Sequence, residues 1–414
     1  MFILPFAAAE FGVHFLKALW GDSMRFLYIG FDPVDPGSEL FRQDVVCKVS
    51  GVRQLGHEAD YICRDRRNII SCIGGEDRHF EYAGGRYAIH DFCEWILELT
   101  KRTVYDFIYI KSLLLYPELS KLAWHFKFQK FGTKVIYEPV VYPLEDHFSA
   151  EMKRHKAENN LSASFKASFT HMQQSFLESQ LHRWADAAVA FEVPASKIYG
   201  VPAISVNRGI AVGQISVRSS VEKLEDPITM LAVVDDPHTC GFERLLQGIS
   251  TYRNSRSCEP VTLDIVGNMQ KTWKLHAESA HCHVEDRVNF IGEKNPSEIN
   301  GLCNTHTLAV ASLGLYKADG IYRSPYLARF YCAAGIPFIY AYEDLSLNGQ
   351  VPFAMKMPNF DAPVNMELVS EFVWRCRYHT GLIQQERHFA EENYDWRIIM
   401  KKILLFTATG RLEV

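Results

Sequence analysis

At 414 residues the chain is too long for one ordinary hydrophobic core, and two domains of similar size are expected. Apolar residues make up 48% and charged residues 22%, a globular balance that excludes a disordered or fibrous chain. The net charge is -5, and there is no long basic tract, zinc-finger spacing or RNA-binding-sheet signature, so nucleic acid is excluded as a partner.

The first 23 residues are apolar but lack a positive start and a small-residue cleavage site, which argues against a secretory signal. Glu10, His14 and Lys17 interrupt the run before it reaches the roughly 20 clean apolar residues of a membrane span. An interfacial amphipathic helix, an extra packed helix, and an upstream start before a natural beginning at Met24 stand as alternatives.

From Met24 strands and helices alternate. "MRFLYIG" (24–30) is a strand, and after the turn-rich "FDPVDPGS" a helical spacing runs through "ELFRQDVVCKVSGVRQLG" to Gly56. Further strands are expected at "EADYIC" (58–63), "YDFIYIK" (105–111), "KVIYEP" (134–139), "AAVAFE" (187–192) and "AISVN" (203–207), with helices near 117–131 and from 166 toward Trp184. This is a doubly wound α/β domain. The basic runs "KRHK" (153–156) and "KLAWHFKFQKFGTK" (121–134) read first as solvated faces, with contact to anionic headgroups as the alternative.

A polar break over 208–226 precedes a second α/β rhythm. Its strands are "ITMLAVV" (228–234), "VTLDIVG" (261–267), "VNFIG" (288–292), "TLAVASL" (307–313) and "FIYAYE" (338–343). The tail 386–406 reads as one continuous helix, long enough to return to the first domain. The expected domains are an extension (1–23), an N-terminal domain (24–212), a C-terminal domain (213–385) and the returning helix (386–414). The ten cysteines form no CxxC pair and several sit in apolar runs, which indicates a reducing, cytosolic compartment. "HCH" (281–283) has no second ligand pair at zinc spacing, so no metal site is assigned.

In α/β sheets ligands bind beyond the carboxyl ends of the strands, so the loops there are the candidates. "DDPHTCGFERLL" (235–246) places His238 and Gly241 before a helix whose open N–H groups suit a phosphate. "VGNM" supplies Gly267 and Asn268. "ASLGLYKADGIYRSPYLARFYCAAGIPFIY" (311–340) gathers Lys317, Arg323 and Arg329 near glycines and a helix start, the set a diphosphate requires.

These segments, with "GVRQLGHEADYI" (51–62), "KVIYEPVVYP" (134–143), "DRVNFIG" (286–292) and "YDWRIIMKKIL" (394–404), resemble glycosyltransferase family 4, and its bacterial polysaccharide-cluster members in particular, over nearly all of 24–406. The resemblance implies the GT-B fold: two Rossmann-like doubly wound domains facing a cleft, with the C-terminal helix crossing back to the first. It implies a nucleotide-sugar donor in the second domain, a glycan or lipid-linked acceptor at the first, no metal and no other cofactor. It places Glu138, Lys317 and Arg329 as catalytic, the last two facing the diphosphate. It assigns Gly37, Ser38, His238, Gly241, Gly267, Asn268, Leu313, Gly314, Tyr322, Ser324, Pro325 and Phe330 to the donor, and Tyr142 to the acceptor side.

Several positions depart from the family pattern. Tyr322 and Phe330 stand where members carry two glutamates, Leu327 where a Lys is common, and "RGIA" (208–211) where a domain-junction turn reads Asn-Gly-Ile-Asp. A Phe cannot accept a hydrogen bond from a ribose hydroxyl, and Glu343 and Asp344 are the nearby carboxylates that could compensate. Two functions follow. One is a retaining glycosyltransferase in surface-polysaccharide synthesis, cytoplasmic, with peripheral contact at the inner membrane face kept open. The other is a degenerate GT-B protein serving as partner or chaperone of an active transferase.

Overall fold

The computed structural model describes residues 23–36, 38, 41–65, 68–81, 88–144, 161–219, 227–255, 259–318, 325–347 and 351–411, with the backbone alone for 161–166. The N-terminal extension, apart from Ser23, and the "KRHK" run lie outside them. The chain divides into two compact units, Met1–Val206 with Trp396–Val414, and Asn207–Asp395.

The first unit is built on a nine-stranded sheet, order β4-β3-β2-β1-β5-β6-β7-β9-β8. Its strands are β1 (Arg25–Gly30), β2 (Glu58–Arg64), β3 (Asn68–Ile73), β4 (Glu76–Glu81), β5 (Phe107–Ser112), β6 (Lys134–Pro139), β7 (Ala187–Phe191), β8 (Lys197–Ile198) and β9 (Val201–Val206). The pairings from β2 through β1, β5, β6 and β7 to β9 are parallel, while β3, β4 and β8 join antiparallel at the edges. The helices are α1 (Cys47–Gln54), preceded by a π-type turn at Arg42–Val46, α2 (Ala88–Thr100), α3 (Pro117–Gln129) and α4 (Leu161–Gln180). Near-continuous apolar runs such as "RFLYIG" are what a sheet buried on both faces demands. Leu27 and Ile29 face one core, shared with Phe92, Ile96, Leu122 and Phe126 from α2 and α3.

The second unit carries a six-stranded, all-parallel sheet, order β12-β11-β10-β13-β14-β15. Its strands are β10 (Ile228–Val233), β11 (Val261–Val266), β12 (Val288–Gly292), β13 (Leu308–Val310), β14 (Phe338–Tyr340) and β15 (Ala354–Lys356). Helices α5 (Glu243–Arg253), α6 (Met269–His281), α7 (Pro296–Leu302), α8 (Tyr326–Ala334), α9 (Met366–Tyr378) and α10 (Leu382–Asn393) complete it. A final helix α11 (Trp396–Thr409) belongs to the first unit, where it packs on α1. Gly51 permits that approach, since a Cβ there would lie 2.8 Å from the Trp396 carbonyl carbon.

The alternating α/β class and the strands at β1, β2, β5, β6, β7, β9, β10, β11, β12 and β14 stand where the sequence pattern puts them. Three features differ. The hairpin β3–β4, joined at Gly74 and Gly75, and the short edge strand β15 were not anticipated: β4 is exposed along most of its length, β15 has three residues, and β3, buried over Ile69–Cys72, follows β2 with no helix between them, outside the strand–helix alternation. The strand expected over 307–313 shortens to Leu308–Val310. The tail is two helices, because the backbone at Tyr394 and Asp395 turns aside to pair with Ile210, whose N–H donates to the Tyr394 carbonyl at 2.8 Å. That pairing ties residues 207–212 and 386–395 to the second unit, so the unit boundaries fall at 206/207 and 395/396 rather than at 212/213 and 385/386.

Glu386, on α10, is fully buried, and neither carboxyl oxygen has a hydrogen-bond partner among the described residues. Burial pushes its pKa well above the usual carboxylate range, with the Arg218 charge pulling the other way. The folded state therefore holds this proton more tightly than the unfolded chain, and that stabilisation is lost as pH rises through the raised pKa. Glu386→Gln keeps the shape and removes the titration. Thermal unfolding followed from about pH 5 to about pH 9 should show the variant gaining on the wild type toward alkaline pH. Parallel profiles would contradict a buried neutral carboxyl.

Candidate functional site

In the second sheet β10 lies between β11 and β13, and the chain leaves β10 toward β11, so the loops after β10 and β13 diverge from a topological switch point. The loop after β10 is shaped by the Asp236 carboxylate, which accepts from the His238 N–H at 3.0 Å and the Thr239 hydroxyl at 2.8 Å. The loop after β13 docks onto it: Leu313 N–H donates to the Cys240 carbonyl at 2.8 Å, and Gly314 N–H to the Thr239 carbonyl at 3.1 Å. The Ser312 hydroxyl also donates to the Thr239 carbonyl.

This contact is made backbone to backbone. Gly241 sits at φ 67°, and a Cβ there would stand 2.7 Å from the Gly314 Cα, while a Cβ on Gly314 would stand 2.9 Å from the Gly241 Cα. Only glycine fits either position. Helix α5 starts immediately afterwards without a side-chain cap, leaving the positive end of its dipole at the junction. Lys317 ends the short 3-10 turn Leu315–Lys317 and pairs with Glu243 in the first turn of α5. Burial lowers the Lys317 pKa, but the hydrogen bond and charge of Glu243 outweigh it, and the net shift is upward. The structure thus brings Gly241, Leu313, Gly314 and Lys317 together, with exposed His238 on the same loop.

Arg244, which the sequence reading did not single out, is 1% exposed and anchors this junction. Its guanidinium donates to the carbonyls of Leu313, Ala362 (2.6 Å) and Pro358 (2.9 Å). The signal was present as an arginine on the apolar side of "FERLLQGI".

The remaining donor-side residues are placed as follows. Gly267 and Asn268 follow β11, and the Asn268 side chain caps α6 by accepting from the Lys271 N–H at 3.1 Å. Pro325 is the N-cap of α8. Arg329 is 5% exposed, and Phe330 is 3% exposed within the apolar core, 6.1 Å from the Tyr326 ring. The Phe330 ring is therefore a packing element rather than a surface ligand. Of the two compensating carboxylates, Glu343 pairs with Lys356, and Asp344 accepts from Asn207 (2.8 Å) and from the N–H groups of Ser346 (2.8 Å) and Leu347 (3.1 Å). Gly37, Tyr322 and Ser324 lie outside the described residues.

In the first unit the switch point falls between β1 and β5. Asp32, just past β1, accepts from the Leu113 N–H at 2.9 Å. Burial raises its pKa, opposed by that hydrogen bond and by Lys111 and Arg64. Asp32 was not singled out from sequence; only the strand pairing identifies its loop as the switch point. Ser38 serves the helix start, its hydroxyl accepting from the Phe41 N–H at 3.1 Å and donating to the Asp35 carbonyl at 2.6 Å. Tyr142 is edge-on to Tyr199, with ring centroids 5.5 Å apart.

Glu138, expected as a catalytic group, is instead fully buried. It lies directly across from Lys111 in the β5–β6 register. It accepts from Lys48 Nζ at 2.5 Å and from the Tyr109 hydroxyl at 2.7 Å, and Lys111 Nζ is 3.6 Å away. Asp44 pairs with both lysines, at 2.9 Å with Lys48. Two lysines and two carboxylates thus balance in charge, as an interior requires. Lys48 Nζ also lies 4.8 to 5.6 Å from the rings of Phe191, Trp396, Tyr109 and Tyr28. With no solvent-exposed surface, Glu138 holds the fold and cannot touch a substrate. Among the described residues, no group of three or more His, Cys, Asp or Glu side chains is placed to hold a metal ion.

Two stability outcomes are expected. Lys48→Met should destabilise the first unit by about 3–5 kcal/mol, because it leaves two buried carboxylates to share Lys111, one charge short of balance. Adding Glu138→Gln should recover part of that loss in a double-mutant cycle. Gly241→Ala should cost about 2–5 kcal/mol from backbone strain plus overlap with the β13 loop. Chemical denaturation followed by fluorescence measures both, and an unchanged transition for either variant would contradict the corresponding contact.

No protein-family model matches the sequence, and no curated protein matches it significantly. Solved structures do match it in fold. A glycosyltransferase from Rickettsia africae aligns over 92% of this chain and 98% of its own at 12% identity and a TM-score of 0.60. Sucrose-phosphate synthase from Thermosynechococcus elongatus aligns over 93% and 100% at 12% identity and a TM-score of 0.55. Anabaena HepE, solved in complex with UDP, aligns over 94% and 100% at 12% identity and a TM-score of 0.54. The chain has the fold of the GT-B glycosyltransferases.

Proposed function

We propose that the chain is a nucleotide-sugar-dependent glycosyltransferase whose second unit holds the donor diphosphate over the Gly241–Gly314 junction. The observation that carries this reading is that junction itself. Two backbones meet where no side chain fits, at the switch point of a parallel sheet and at the uncapped start of α5, with Lys317 beside it. A helix dipole and an ammonium group are elements that stabilise a leaving diphosphate. The UDP held by the similarly folded HepE supports a nucleotide-linked donor.

In the finer form of the proposal, transfer is retaining, the acceptor is a glycan or lipid-linked sugar in surface-polysaccharide synthesis, and no metal takes part. The departing diphosphate helps to remove the acceptor proton. Asp32, rather than Glu138, is the carboxyl at the strand ends of the first unit and the candidate to orient an acceptor hydroxyl.

Two observations favour the second reading, a degenerate GT-B partner protein: Lys317 is engaged by Glu243, and Arg329 is nearly buried. Titration calorimetry with UDP, GDP and their sugars separates the two. The transferase reading expects binding of at least one nucleotide, with Lys317→Ala weakening it about 10- to 100-fold, the worth of a charge-assisted hydrogen bond. A folded protein that binds none of them would overturn it and leave the partner role.

A further inference from the structure

Helix α3 buries Leu119, Leu122, Ala123 and Phe126, a single face at helical spacing. Its other face should be polar, yet Trp124 is 43% exposed, Phe128 is 83% exposed, and Phe131, just beyond the helix, is fully exposed at 101%. The Trp124 and Phe128 rings lie 5.9 Å apart at the helix end, with Phe131 following in the next turn of chain.

Lysines surround it. Lys121 is exposed one turn before Trp124, and Lys127 Nζ lies 5.6 Å from the Trp124 ring. Lys127 also pairs with Asp186 at 2.9 Å, Lys134 approaches Asp186 at 3.9 Å, and Lys130 pairs with Asp106 at 2.6 Å. Four lysines stand against two aspartates, three of them in ion pairs, so the rim of the patch is net cationic. The chain leaves α3 to enter β6 at Lys134, so Phe128 and Phe131 lie toward the amino-terminal edge of the first sheet. Asp32 and the switch-point loops occupy its carboxyl-terminal edge.

We propose that this patch docks on an anionic bilayer surface. Trp124, Phe128 and Phe131 enter the headgroup–acyl boundary, and the lysine ammonium groups face the lipid phosphates. Aromatic side chains suit that depth, and lysine stems lie along apolar surface while their charge stays in the headgroup layer. The cationic rim selects an anionic surface over a neutral one. The inference does not depend on the nucleotide-sugar reading, and it places the bilayer contact away from the switch-point loops of that unit.

Co-sedimentation of the full chain with vesicles tests it. Vesicles of phosphatidylcholine alone are compared with vesicles in which about one-third of the lipid is phosphatidylglycerol. The wild type is expected to sediment with the anionic vesicles, less so in high salt, and weakly with the neutral ones. The double variant Phe128→Ser/Phe131→Ser should bind about tenfold more weakly with an unchanged circular-dichroism spectrum. Lys121→Glu should weaken anionic binding alone.

Wild type that stays in the supernatant would overturn the proposal. Binding by the double variant equal to wild type would also overturn it, because other parts of the chain would then carry the contact. Concentration-dependent self-association that the double variant abolishes, without vesicle binding, would assign the patch to a protein contact instead.

Discussion

The first unit is organised around the ammonium group of Lys48, buried between two carboxylates and four aromatic rings. An unpaired cation there would be prohibitively costly, so every element that contributes a partner is fixed in place. Asp44 comes from the π-type turn before α1, Tyr109 and Lys111 from β5, Glu138 from β6, and Trp396 from α11. The cluster joins the centre of the sheet to the helix nearest the end of the chain. It thereby explains why α11 folds with residues far from it in sequence, while the adjoining backbone at Tyr394 and Asp395 stays with the second unit.

A comparable division of labour holds in the second unit. Arg244 and Asp236 spend their polar groups on backbone carbonyls and loop N–H groups, and the result is a rigid junction between the loops after β10 and β13. The junction then presents the start of α5 with Lys317 beside it. Positioning is done by the buried Arg244 and the exposed Asp236.

Much of this was legible from the order of the residues, and the misses have physical causes. Strands announce themselves as short apolar runs, so "KVIYEP" and "VNFIG" coincide with β6 and β12 to the residue. The exposed β4 and the three-residue β15 carry no such run, and β3 returns directly from β2 without the helix that the alternation leads one to expect. Gly241 and Gly314 were legible as candidates, but their contact, 73 residues apart in sequence, was not. Glu138 and Phe330 were read through family position. Their burial depends on what packs over them, which the local pattern does not encode.

The sequence by itself determined that this is a two-domain α/β chain with strand-end loops rich in glycine and cations, because hydrophobic periodicity and turn chemistry are local properties. Only the tertiary structure decided which charged residues serve the interior and which face solvent. Asp44, Lys48, Lys111 and Glu138 are ordinary polar residues until β5, β6 and α1 bring them within ion-pairing distance. The run 121–134 reads as a basic, solvated face, and only the packing of Leu119, Leu122 and Phe126 on the inward side of α3 leaves Trp124, Phe128 and Phe131 outside. Burial is a relation between distant segments, and it is fixed when the sheets and helices pack.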